Sequence, residues 1–105
     1  MSEQNPINKE ETTTIVCDEV LDIAIAADLR EALLEALRGG QPVTLDGSAV
    51  ERADTAALQV LAAFFQDARS RGIPVRWHSP SAALLQAATL LGMVDILAME
   101  TTQAA

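Results

Sequence analysis

The sequence predicts an α/β domain whose sheet is largely parallel after a first hairpin, with helices covering at least one face. Three observations lead there. Short β-branched or apolar runs alternate with amphipathic helical segments, each helical segment closes on a glycine, and 105 residues suit a single core. Residues 1–11, polar and interrupted by Pro6, follow neither a two-residue nor a helical period and read as a flexible tail. Residues 99–105 read the same way, which leaves one domain over 12–98.

Thr12 to Cys17 is β-branched and suits a strand, and Val20-Leu21 is expected to pair beside it after a turn at Asp18-Glu19. In the next segment Leu29, Leu33, Ala36 and Leu37 line one side while Asp28, Glu31, Glu35 and Arg38 take the other, predicting a helix over 25–38. Gly39-Gly40 stops it, and Pro42 leads into a short strand, Val43-Thr44-Leu45, that ends at Asp46-Gly47-Ser48. A polar connection through Glu51-Arg52-Ala53 then reaches Asp54, the expected N-cap of a helix over 55–71 with Leu58, Leu61, Phe65 and Ala68 on its buried side. Gly72 stops that helix, and Ile73 to Trp77 reads as a strand. Ser79-Pro80 is a helix opening, with Leu84, Ala87, Ala88 and Leu91 as the buried stripe and Gly92 as the stop. Residues 93–97 are apolar but too short for periodicity to decide between a strand and a helical turn.

Half the residues are apolar and only 3% are aromatic, so leucine, valine, isoleucine and alanine must build the core. No apolar run reaches the roughly 18 to 20 residues of a membrane helix, and the N-terminus has no signal-peptide pattern. A cytoplasmic protein without direct membrane insertion is expected. Fifteen acids against seven bases give a net charge of −8, which repels phosphate backbones and anionic lipid and argues against nucleic-acid binding.

The chemical inventory is thin. Cys17 and His78 are the only residues of their kinds, so a disulfide, a zinc site or a Cys/His cluster lacks ligands, and neither a metal nor a cofactor is expected. The five glycines fit no phosphate loop, and no G-x-S-x-G motif exists. Cys17 reads as a small buried apolar residue and His78 as a surface histidine.

The remaining stretch is Leu45-Asp46-Gly47-Ser48, a short loop, and Asp54-Thr55-Ala56-Ala57-Leu58. A strand ending in Asp-x-Ser, followed closely by Asp-Ser/Thr at the head of an apolar helix, resembles the signature of STAS domains. Val20-Leu21-Asp22-Ile23-Ala24 resembles the way that family begins its first helix. Arg71-Gly72-Ile73-Pro74-Val75 resembles the strand after its second helix, and Leu91-Gly92-Met93 the end of its third. The pattern departs at Ala56-Ala57, where the family often has Ser/Thr/Gly-Gly, and at the glycine missing before Leu21.

The resemblance implies a mixed four- to five-stranded sheet with three to four helices packed on one face, and a non-catalytic protein that docks on other proteins. It implies a phosphorylated or contacted hydroxyl at Thr55, within a partner-binding surface of Asp22, Asp46, Ser48, Asp54, Thr55, Ala56, Ala57 and Leu58. The partners it implies are an anti-sigma factor with serine-kinase activity, a chemotaxis-type signalling protein, or a lipid-transport ATPase with this chain as accessory subunit and no phospho-switch. The competing expectation is an enzyme or small-molecule binder using His78 and the carboxylates, which needs a concave pocket.

Overall fold

The structure, a computed structural model, describes residues 12–99. Its elements run β1 Thr13–Val16, β2 Val20–Leu21, α1 Ile23–Gly39, β3 Val43–Asp46, β4 Arg52–Ala53, α2 Thr55–Ser70, β5 Val75–His78 and α3 Ala82–Leu90. The tails expected at 1–11 and 100–105 lie outside the described residues. Met99, assigned to the tail by sequence, is instead buried, and its N–H donates to the Val94 carbonyl at 3.0 Å.

The α/β class holds, with strand pairing that differs from the expectation in detail. Among the described residues every pair is parallel: β1-β3-β5 form one sheet and β2-β4 a separate two-stranded piece. The expected first hairpin is therefore absent. Asp18-Glu19 lacks the glycine or asparagine that a tight two-residue reversal favours, and the groups of β1 are committed to its parallel neighbour, with Cys17 N–H donating to the Asp46 carbonyl at 2.9 Å. The chain runs on, and Val20-Leu21 finds Arg52-Ala53, a strand that reads from sequence only as a polar connection.

Parallel register stacks like-facing residues across the sheet. Ile15, Leu45 and Trp77 form one row and Thr13, Val43 and Val75 the next, on the face turned to the helices. Thr14, Thr44 and Arg76, then Val16, Asp46 and His78, form the rows of the opposite face, none of them buried. Leu29, Leu33 and Leu37 of α1 and Leu58, Leu61 and Phe65 of α2 fill the space above the inner rows, and α1 packs against α2. Each leucine fully withdrawn from water there contributes about 1.5 to 3 kcal/mol before the entropy of ordering it is counted. Phe65 stacks on Trp77 with centroids 6.0 Å apart.

Helix ends follow their local chemistry, with two corrections. Asp22 caps α1, its carboxylate accepting from Ala24 and Ile25 N–H at 3.0 and 3.1 Å, and Gly40 closes it at φ 72°. At α3 the cap is Ser81, whose hydroxyl oxygen accepts from Leu84 N–H at 3.0 Å, two residues beyond the expected Ser79. Ser81 N–H is tied to the Gly47 carbonyl, so the helix starts only after that tether. At the far end of α3 Leu91 is exposed, because the helix has closed and Met93 N–H turns back to the Ala88 carbonyl at 2.8 Å. Residues 93–99 form hydrogen-bonded turns, neither strand nor continuous helix, and Leu97 drops into the core while its carbonyl accepts the Trp77 indole N–H at 2.9 Å.

Candidate functional site

The C-terminal ends of the parallel strands and the heads of α1 and α2 carry the residues singled out by sequence. Thr55 is the first residue of α2 and is exposed, and its hydroxyl has no hydrogen-bond partner among the described residues. Asp54 holds the N-cap position with extended backbone, φ −89° and ψ 162°, and its carbonyl accepts from Ala57 and Leu58 N–H at 3.1 Å each. Its side chain does not cap the helix, contrary to expectation. The carboxylate is drawn instead to Arg52, whose Nε lies 3.3 Å from Asp54 Oδ1.

Arg52 also reaches Asp22 Oδ2 at 3.9 Å. One guanidinium thus stands between the acidic heads of α1 and α2, a role that sequence reasoning missed. The signal was the position of Arg52 two residues before Asp54, which on a strand puts both side chains on one face. That inference required recognising β4, which is only two residues long.

Asp46 and Ser48 make a separate unit. Ser48 donates both its N–H, at 3.0 Å, and its hydroxyl, at 2.7 Å, to Asp46 Oδ1, an Asx-type turn at the end of β3. The backbone N–H of Ser48 and then its hydroxyl stabilise the ionised form and hold the Asp46 carboxyl below its ordinary range, with a further contribution from His78. Among the described residues no hydrogen bond or ion pair joins this unit to Asp54 or Thr55. Gly47 makes the turn possible: a Cβ there would stand 2.8 Å from Leu84 Cδ2 and 3.3 Å from Pro80 Cα.

Two residues of the expected surface belong to the interior. Ala57 and Leu58 are both 0% exposed, so they support the head of α2 from beneath and offer no contact to a partner. Where the STAS pattern often has a small residue at position 57, the need here is close packing within the core. Ala56 is half-buried and Ser48 exposed.

His78 is exposed at the end of β5, in register with Asp46. Cys17 is buried, and burial first, then the charges of Asp46 and Asp18, push its thiol up to about 11, so it is neutral at physiological pH. Among the described residues no group of three or more His, Cys, Asp and Glu side chains is placed to hold a metal ion. No helix among them is long and apolar enough to cross a membrane.

The family description "Mlab, STAS domain" matches residues 7–98. The NMR structure of the protein TM1081 superposes with a TM-score of 0.71 at 17% identity, covering 91% of this chain and 77% of the other, and shows the same fold. No curated protein matches this sequence. With the family match spanning nearly all of the sequence and the fold agreeing with it, the chain belongs to the STAS domain family.

Proposed function

We propose that this chain is a protein-docking module that engages a regulatory or transport-complex partner through the heads of α1 and α2, with Thr55 as the contacted or phosphorylated residue. STAS domains generally mediate protein–protein interactions and are generally non-catalytic. The observation that carries the reading is Thr55 itself: an exposed hydroxyl at a helix head, without a hydrogen-bond partner among the described residues and beside the Asp54–Arg52–Asp22 arrangement. A phosphate there would lie at a helix N-terminus, where backbone N–H groups and the dipole favour an anion, so the fold would tolerate it. Its charge of about −1.5 to −2 would outweigh the Arg52 guanidinium and turn the docking face strongly negative.

Affinity capture from native lysate, with wild type and Thr55→Glu as paired baits, tests this. Capture of one partner by wild type and its loss with Thr55→Glu supports docking at this face. Mass spectrometry of Thr55 in the same sample separates a phospho-switch from a contact that is never modified, as in an accessory subunit. Equal capture by both baits would remove Thr55 from the interface.

A further inference from the structure

Thr55 borders a shallow, open cleft of about 330 Å³ lined also by Ala53, Asp54, Ala87, Leu90 and Leu91. Leu90 is 80% exposed and Leu91 42%. They are the last residue and the C-cap of α3, and the helical stripe that would have buried Leu91 ends one residue too early to do so. Isolated exposed leucines are ordinary on a protein surface. Two in succession, beside a shallow, open cleft lined by alanines, a threonine and Asp54, are a different arrangement, because a side chain laid there would rest on a continuous apolar floor.

The rim identifies what would enter. Asp54 lines the cleft and Glu51 is exposed on the segment leading to it, while the nearby cation, Arg52, is already shared between Asp54 and Asp22. The chain as a whole carries −8. A second copy seated here would bring acidic rim and acidic protein together, whereas a basic segment gains from the same field. We propose that this cleft seats an aliphatic side chain of a basic partner segment, and that Thr55, forming its wall, controls access to it. A group added to Thr55 would then act by occupying and hydrating an apolar seat as well as by charge. The inference rests on the docking reading of Thr55 and names the chemistry of the partner.

The probe is a synthetic peptide of about 12 residues with one central leucine flanked by lysines and arginines, titrated into protein labelled at leucine methyl groups. Saturable shifts of the Leu90 and Leu91 methyls are expected, weakened about tenfold when the peptide leucine is replaced by serine, and lost when its basic residues become glutamate. Leu90→Ser with Leu91→Ser, checked for an unchanged fold by circular dichroism, should abolish the advantage of the leucine peptide over the serine peptide as read at the Thr55 and Asp54 amides. Shifts at the Thr55 and Asp54 amides that are equal for the leucine and serine peptides would overturn the apolar seat while leaving the docking face intact. Methyl shifts confined to leucines away from Leu90 and Leu91, or Leu91 methyl shifts that appear on raising protein concentration alone, would overturn it in favour of another site or of a second copy.

Discussion

Arg52 Nε stands 3.3 Å from Asp54 Oδ1 and removes that carboxylate from the helix it was positioned to cap. Asp22, at the equivalent place on α1, accepts two backbone N–H groups. The two aspartates therefore hold the same N-cap position on their helices but different energetic roles. Asp22→Ala should cost about 0.5 to 2 kcal/mol, the usual effect of losing a side-chain cap. Asp54→Ala should cost less than about 1 kcal/mol, because an exposed ion pair is screened by solvent. Urea midpoints of the two variants check this, and a larger loss for Asp54→Ala would mean that its carboxylate does cap α2 in solution.

The core prediction concerns Leu61, which is 0% exposed at the centre of α2. Leu61→Ala should lower stability by about 2 to 5 kcal/mol, the cost of the lost transfer energy plus the cavity left behind. An unchanged urea midpoint would put Leu61 on the surface and break the register of the helix.

Gly47→Ala tests the turn that positions Asp46 and Ser48. The added methyl would meet the Leu84 side chain and come within 3.3 Å of the Pro80 backbone, so a loss of about 1 to 3 kcal/mol is expected. Amide spectra should show the disturbance at Ser48 and Ser81 together, since Gly47 bonds to the α3 cap through its carbonyl. A neutral substitution would show that this loop does not press on α3.

Much of this architecture is legible in the sequence, and the failures share a cause. The Leu29–Leu33–Leu37 and Leu58–Leu61–Phe65 stripes are local patterns long enough for periodicity to speak, and both helices lie where those stripes put them. Pairing partners of two-residue strands are not local. Val20-Leu21 is read as half of a hairpin because its true neighbour, Arg52-Ala53, is far away in sequence and looks like a connection. The same blind spot hid Arg52, whose importance depends on what lies across that pair. Thr55 and Asp54 were legible as a motif, but the burial of Ala57 and Leu58 directly after them follows from the helical period and separates them from the surface.

The buried thiol makes the alkaline limb informative. Cys17 has its pKa raised from 9.0 to about 11 in the fold, so between those values the unfolded chain releases a proton that the native state retains. Stability is thus fully present below the unfolded value and is lost as pH rises through the folded one, by about 2 to 3 kcal/mol for a shift of this size. The chain has no tyrosine, and Lys9 is its only lysine, so few other groups titrate in that window. Cys17→Ala should flatten the stability profile between pH 9 and 11. An equally steep profile in the variant would assign the loss to another group.

Whether the exposed hydroxyl of Thr55 lies in a docking interface is read from the affinity of the captured partner for wild type and for folded Thr55→Glu. Titration calorimetry should show Thr55→Glu weakened by about tenfold or more, since one added carboxylate beside Asp54 supplies part of the repulsion and desolvation that a phosphate would. Unchanged unfolding midpoints for the two proteins would assign the loss to the interface. Equal affinities would place Thr55 outside the interface and leave Asp54-Thr55 as no more than the beginning of a helix.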